Sequence, residues 1–505
     1  LLPNFKVLDL FIALASIGTR DCYSLNDINN YFTLPIIKFM NKSKLVAIAA
    51  LCMCSSSLFA GGILTNTNQS VHFLRNPARD ASTEIDAVYT NPAGLVKLTD
   101  GFHFSFNNQS AFQTRTITST SPIFMMNGGL DTKAFEGKAS VPFIPSLQGA
   151  YKKGKWVLSG SVAISGGGGK ATFNDGLPSF EVLAGTSALV IQNAGYKASR
   201  YQVDQYMRGS NMIIGGQLGG TYEINEMFSA YAGFRLNVVR NSYEGYLRGL
   251  KLNVTPASSA DYSPNMIYAN QLLEGVAAGV AANPVLQQQI LLMSRASSDE
   301  GAMLESSQSG WGVAPILGFN FNYQNKLNIG VKYEFKTALD VENNTKRDDT
   351  GMFADGVNTA HDIPALFTIG ASYKVTEKLM ASVGYHHFFD SDAKMDGDKQ
   401  KDAGSTNEYL AGLEYQIDRM FLVSAGGQIT RYGVGDVFQK DLSFSCDSYS
   451  LGLGGAVNVS PTVRINVGYF WTTYSDYTKV PGGGTSKDVF SRTNKVFGAG
   501  VDFSF

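Results

Sequence analysis

The sequence predicts an all-β fold, a 14-stranded antiparallel β-barrel spanning a membrane. Three observations carry that expectation. Beyond residue 100 the apolar residues recur with period two. Short polar turns alternate with long polar stretches through the same region. The chain ends on an amphipathic segment, KVFGAGVDFSF, closing with Phe505.

The period is clearest in KLNIGVKYEF (326–335). Leu327, Ile329, Val331, Tyr333 and Phe335 fall on one face, Asn328, Gly330, Lys332 and Glu334 on the other. TVRINVGYFW (462–471), YLAGLEYQI (409–417) and FSAYAGFRLNV (228–238) repeat the pattern. Successive side chains of a strand point to opposite faces, so each segment has one apolar and one polar or small face. A soluble sandwich alternates too, and the connections and aromatics separate the cases.

Short turns are expected near 152–155, 223–226, 323–326, 374–378, 416–419 and 458–462. Long polar stretches lie near 113–140, 174–210, 250–308, 342–361, 390–406, 432–442 and 475–491. The strand count from this rhythm is fourteen, and an even count with short turns on one rim and long loops on the other is the form of a bacterial outer-membrane barrel. Tyr151, Tyr222, Tyr323, Tyr373 and Tyr415 each sit within two residues of a short turn, the placement of an interfacial girdle. The plainer alternative is that Tyr is a good strand residue. Phe497, Ala499, Val501, Phe503 and Phe505 share one face of the last strand. A terminal aromatic strand is the type of signal read by the barrel-assembly machinery, an expected partner through Phe505. Lipid offers no partner to a strand edge, so the first and last strands must pair.

Composition agrees. The 505 residues have a net charge of −1 and 44% apolar content, too apolar for disorder and not basic enough for nucleic acid to be the main partner. Gly (53), Tyr (24) and Phe (32) are abundant and Pro (15) scarce, which suits strands better than helices. No stretch after residue 60 holds eighteen consecutive apolar residues, so no helical span is expected there.

The N-terminus reads as a targeting segment. Met40-Asn41-Lys42-Ser43-Lys44 is a basic start, LVAIAALCM (45–53) an apolar stretch, and SSSLFA (55–60) ends on a small residue. Residues 40–60 are therefore expected to be a secretory signal peptide, and 1–39 upstream sequence ahead of a true start at Met40. A genuine long leader is the alternative. Of the four cysteines only Cys446 lies beyond the signal, so no internal disulfide is expected. Leu51 and Met53 fit poorly before a lipidated cysteine.

Two long loops carry helical spacing. Residues 263–295 start at Ser263-Pro264, continue with Met266, Leu273, Val276 and Val280, and restart at Asn283-Pro284 with Leu286, Ile290, Leu291 and Met293. Residues 178–207 show a weaker version. Apolar side chains on an outer loop either pack over the barrel mouth or form an apolar groove for a ligand. Met266, Ile267, Leu273, Val276, Val280, Leu286, Ile290 and Leu291 are the candidates for capture.

The segment 86–98, DAVYTNPAGLVKL, holds Asn91-Pro92-Ala93, and Asn76-Pro77-Ala78 precedes it. With the signal peptide, an NPA-containing N-terminal segment, about fourteen strands and the terminal Phe, the chain from Gly61 to Phe505 resembles the FadL/TodX family of outer-membrane transport proteins. The resemblance implies a monomer in the outer membrane of a Gram-negative bacterium. It implies residues 61–100 folded as a hatch, or plug, inside a barrel formed by 101–505. It also implies passive uptake of long-chain fatty acids or other hydrophobic small molecules, without a cofactor. Ligand would be captured by outer loops and leave sideways into outer-membrane lipid through a kink in the third strand. Both Asn-Pro-Ala copies would punctuate the hatch, and the second would lie beside the third-strand gap. A second reading keeps the fold and makes the barrel a scaffold or shuttle subunit of an assembly or secretion machine.

The third strand would be 155–173. Gly166, Gly167, Gly168 and Gly169, with Gly160, are the candidate kink, because glycine runs permit a bulge or bend. The alternative is an ordinary flexible strand end. The run lacks the earlier glycine of a phosphate loop. Lys332, Glu334, Lys336, Glu414, Arg235 and Arg464 should face the lumen, either bracing the barrel or holding a ligand carboxylate. His386 should point inward and His387 lie near the outer interface. Residues 390–402 are acidic but lack the spacing of a calcium loop. No catalytic residue, metal site or enzyme activity is expected.

Overall fold

The computed structural model describes residues 63–480 and 484–505. The expected leader, the signal peptide, Gly61 and Gly62 lie outside these residues. The strands, in chain order, are β1 (Gly101–Thr120), β2 (Thr132–Lys153), β3 (Trp156–Phe173), β4 (Tyr201–Glu223), β5 (Phe228–Leu252) and β6 (Ala302–Tyr323). Then β7 runs as Leu327–Glu334 and resumes as Asp340–Asp348, and β8 as Asn358–Ala360 and Leu366–Lys374. The ring is completed by β9 (Leu379–Phe388), β10 (Thr406–Gln416), β11 (Phe421–Arg431), β12 (Ser448–Ser460), β13 (Val463–Tyr474) and β14 (Lys487–Ser504). Every neighbour is antiparallel, and β14 pairs with β1 from His103–Ser504 to Thr120–Lys487. Reciprocal backbone hydrogen bonds between Phe102 and Phe505 finish the seam, so the C-terminal residue helps close a 14-stranded barrel.

The alternation places polar side chains inside and apolar ones outside. On β1, His103, Ser105, Asn107 and Gln109 are buried while Phe102, Phe104, Phe106 and Phe112 are exposed. On β10, Glu408 and Glu414 are buried while Tyr409, Leu413 and Tyr415 are exposed. That inverts a soluble protein and is what a lipid surround demands. Tyr151, Tyr222, Tyr323, Tyr373 and Tyr415 all stand on the outer surface beside the short turns. The turn between β6 and β7 places Gln324 and Asn325 at φ 54° and 52°, a pair of left-handed residues inside the turn closed by Lys326 N–H donating to Tyr323 O, whose twist suits a hairpin.

Several strands outrun the sequence expectation. The stretches 113–120, 132–140, 201–210 and 302–308 were expected in loops and are strand. A span needs about ten tilted residues, whereas β5 has 25. Their polar upper parts stand beyond the lipid, where no apolar outer face is needed.

Inside this raised wall pack three helices, α1 (Pro178–Asn193), α2 (Asn270–Gly279) and α3 (Pro284–Ala296). The helical pattern starting at Ser263 begins only at Asn270, because Ile267–Tyr268 pairs with the end of β5 and the Ser263 N–H donates to Thr255 Oγ1. The 178–207 pattern stops at Asn193, where Gly195 takes φ +89° before β4 begins. Pro178 and Pro284 occupy first-turn positions, where a missing N–H costs nothing. The three helices bury Leu183, Ile191, Leu273, Ile290 and Met293 together with Tyr201 and Leu250 of the wall.

Candidate functional site

Residues 63–96 are almost wholly buried, and they touch the inward faces of most strands. A short helix, α0 for its position ahead of the others, spans Val71–Arg75. Ser70 caps it through Oγ, and Asn76 ends it, with its N–H donating to His72 O. The Asn76 side chain then donates to Ser382 Oγ of β9 and accepts the Ala78 N–H. Pro77 lies over Gly426 of β11, where a Cβ would sit 2.7 Å from its Cδ. Asn91-Pro92-Ala93 opens a 3-10 turn (Pro92–Lys97) that leads into β1. Asn91 donates to Asn320 at 2.7 Å, Thr221 donates to the Pro92 carbonyl at 2.9 Å and Ser229 to the Ala93 carbonyl at 2.7 Å. The second copy is thus held by β4, β5 and β6 near the short-turn rim.

The inward glycines make room for this segment. A Cβ on Gly454 would stand 2.7 Å from Arg75 Cβ, one on Gly468 2.8 Å from Leu74 Cβ, and one on Gly370 2.6 Å from Asp80 Cβ. The small face seen in the strand pattern is therefore a groove fitted to the segment.

Charge fixes it further. Arg75 and Arg79 both engage Glu414 of β10, and Arg79 also binds Asp86 (2.7 Å) and Glu84 (2.7 Å). Arg464 of β13 reaches Glu84. Asp80 meets His386 Nε2 at 2.8 Å, whose Nδ1 meets Glu408 at 2.8 Å. Lys332 donates to the Tyr89 carbonyl at 2.7 Å and stands over the Tyr89 ring, and Arg235 pairs with Glu334 at 2.8 Å. Lys336 pairs with Asp362. These partners assign the six lumen charges to bracing. His72, Glu84 and Asp86 come within 4.8 Å of one another, but the three arginines already meet the carboxylate charges. His387 bonds Asn407 at 2.8 Å and packs edge-on against Phe389.

Among the described residues the wall's pairing is broken between β2 and β3. β2 and β3 pair from Lys153–Trp156 to Leu147–Val162, then not again until Lys138–Thr172. Residues 139–146 and 163–171 face each other without ladder bonds. On the far side β3 shifts register against β4 at Ile164/Gly166 and at Gly167/Gly169, and Gly167 takes φ +60°. On the near side β2 shifts against β1 around Pro142 and Phe143. Gly166, Gly167, Gly168 and Gly169 all fall in this stretch, whereas Gly160 lies below it, regularly paired with Gly149 and Leu218. An outer groove of about 340 Å³, lined by Pro142, Gly169, Lys170 and Met212 among others, marks the spot. Behind it runs the N-terminal segment: Asn66 N–H donates to Ser165 O at 2.8 Å, and a Cβ on Gly166 would collide with Leu64 O. Leu64 to Asn66 therefore back the interruption, and Asn91-Pro92-Ala93 does not.

Ile63 and Leu64 also floor a chamber of about 250 Å³ beneath the outer loops, walled by Tyr243, Met352, Phe353, Met395 and Phe438 with Gln308, Asn343, His361 and Lys399. Of the capture candidates, Leu273, Val280 and Ile290 are spent in the helical core, and Val276 and Leu286 pack against it. Met266 is half-buried, while Ile267 and Leu291 are exposed on the outer loop, as is Val285.

No protein-family model and no curated protein matches the sequence. Solved structures do. A FadL homologue of Pseudomonas aeruginosa is 12% identical over 88% of this chain and 100% of its own, with a TM-score of 0.59. The Pseudomonas putida toluene transporter TodX is 14% identical over 88% of this chain and 100% of its own, at 0.51. A TodX variant described as a monoaromatic hydrocarbon channel is 14% identical over 86% and 99%, also at 0.51. At such identities the likeness is one of fold, and it extends over nearly the whole barrel.

Proposed function

We propose that this chain is an outer-membrane channel of Gram-negative type for passive uptake of hydrophobic small molecules, long-chain fatty acids or compounds of similar character. The observation that carries the reading is the interrupted β2–β3 pairing beside Gly166 to Gly169, with the N-terminal segment behind it. An apolar molecule gains about 25 cal/mol for each Å² removed from water, so a side exit into hydrocarbon is downhill where an aqueous exit is not. Residues 61–100 act as the hatch. Exposed Ile267 and Leu291 offer the first contact, and the chamber floored by Leu64 lies between the loops and the side exit. The fold shared with the FadL homologue and the toluene transporter TodX supports the same reading. The barrel works as a monomer, needs no cofactor, and reaches its membrane through assembly machinery that reads Phe505. A scaffold or shuttle role would be better served by a continuously paired wall.

The test is mass spectrometry of molecules that copurify with the folded barrel, compared with Leu64→Asp, which puts a charge on the chamber floor. An apolar small molecule bound to the native barrel and depleted in the variant is the expected result. A barrel that carries no apolar molecule from ligand-rich cells would remove the reading.

A further inference from the structure

The outer groove at the β2–β3 interruption carries two cations that the barrel's own carboxylates do not meet. Lys170 of β3 and Arg240 of β5 are both exposed, and both line it. Neighbouring outward cations are paired: Lys138 with Glu136, Arg208 with Glu244, Arg248 with Asp204 and Lys346 with Glu305. Lys170 and Arg240 have no ion-pair partner among the described residues, and no carboxylate is among the residues that line the groove. Three hydroxyls are. Ser140 stands on the free stretch of β2, and Ser210 and Ser242 share a hydrogen bond at 3.1 Å.

The strand register fixes the height of these two cations. Lys170 is opposite Ser210, which is opposite Ser242, and Arg240 is the next outward residue of β5 toward the short-turn rim. Below Arg240 the outward positions of β5 turn apolar, with Val238, Leu236 and Phe234. Val238 is registered with Trp311 of β6, an exposed indole. Tryptophan favours the boundary between hydrocarbon and headgroups. From Arg240 upward the outward face is polar: Arg240 is registered with Ser309, Ser242 with Ser307 and Glu244 with Glu305. The two cations therefore stand at headgroup height, just above the acyl chains that would surround Val238 and Trp311.

We infer that Lys170 and Arg240 form a site for the phosphate of an outer-leaflet lipid whose acyl chains lie along the apolar wall below. An ammonium and a guanidinium fork give charge-assisted bonds to phosphate oxygens, and the serine hydroxyls add neutral donors. A lipid is held at both ends, its head by the cations and its chains by the wall. A free phosphate has only the first of these. The site depends on the barrel lying in the outer membrane and not on transport, so a barrel that releases nothing between β2 and β3 still holds the lipid.

The experiment uses the full folded barrel in nonionic detergent, with bound lipid counted by native mass spectrometry and folding checked by heat-modified gel migration. The probes are phosphatidic acid, diacylglycerol with the same chains, oleate and sodium phosphate. The expected result is one saturably bound phosphatidic acid, with diacylglycerol at least tenfold weaker and no displacement by equimolar sodium phosphate. Lys170→Gln combined with Arg240→Gln should weaken phosphatidic acid at least tenfold, and either substitution alone severalfold. Lys495→Gln removes an exposed cation of β14 outside the groove and should leave binding within about twofold. Equal binding by the native barrel and the double variant overturns the site, and so does equal weakening by Lys495→Gln. Displacement by equimolar sodium phosphate would assign the cations to a free oxyanion, and oleate held as tightly as phosphatidic acid would assign them to a carboxylate. Either result overturns the lipid phosphate as occupant.

Discussion

Gly412 of β10 lies directly against Asn76 of the N-terminal segment, so closely that a Cβ on the glycine would collide with the Asn76 carboxamide oxygen. Neither atom has room to retreat, because Asn76 is fully buried and the segment is tied to several strands at once. Gly412→Val is expected to lift the segment from the wall while the ladder of β10 stays formed. A cysteine placed at Ala78, now 3% exposed, should then react with a maleimide at least tenfold faster than in the native background. An unchanged labelling rate would show that the contact does not seat the segment.

Glu414 carries the charge of two arginines in the interior. Removing one partner of a buried pair leaves the other uncompensated and costs about 3–5 kcal/mol. Glu414→Gln should lower the stability of the lipid-refolded barrel by that order, read from urea unfolding. Adding Arg75→Met should restore part of the loss, since replacing a buried ion pair by apolar groups is often nearly neutral. A single variant as stable as the native barrel would mean that water reaches the network freely.

Gly166, Gly167, Gly168 and Gly169 lie where β3 loses its partner and shifts register. Replacing all four by Val gives the stretch side chains that favour a straight, paired strand, and strains Gly167 at φ +60°. Uptake of a hydrophobic compound by cells should fall severalfold, with unaltered heat-modified migration of the barrel. Replacing Gly160, which sits in regular pairing, should leave uptake unchanged.

Asp390 sits at the start of the loop after β9, fully buried, and accepts the backbone N–H of Thr406 at 3.0 Å. Burial pushes its carboxyl up to about 7, against the donors from Thr406 and Ile63 that oppose the shift. A raised carboxyl pKa means the folded state holds a proton that the unfolded state has released. The resulting cost is absent below about pH 4, grows as pH rises, and is complete above about pH 7. Asp390→Asn removes that cost, so it should raise the unfolding midpoint clearly at pH 8.5 and by much less at pH 5. An equal gain at both would place the effect in packing and not in the charge.

Much of the barrel was legible because lipid and a polar interior impose a strict alternation that local sequence must display. KLNIGVKYEF and YLAGLEYQI each show it within ten residues. The side-chain partners were not legible, because they depend on contacts distant in sequence. Arg75 and Glu414 are 339 residues apart, and nothing near either names the other. The helix expected from Ser263 began later for the same reason, since Ile267–Tyr268 pairs with a strand that ended at Leu252, well before it in sequence. The polar strand ends at 113–120 and 302–308 lacked an apolar face above the lipid, so they read as loop. The inward glycines were visible as a small face, but what filled the space they leave was not. Arg115 and Arg492 meet only because the two ends of the barrel close on each other.

The side exit is the central claim, and blocking it tests the claim most directly. Ser140, on the free stretch of β2, lines the outer groove beside Gly169. Ser140→Cys in the native barrel, modified with a bulky maleimide after folding, should abolish uptake of a radiolabelled hydrophobic compound into vesicles, while the unmodified variant transports normally. The buried Cys446 keeps its own thiol from reacting under the same conditions. Uptake at the unmodified rate with Ser140→Cys fully labelled would contradict lateral release between β2 and β3.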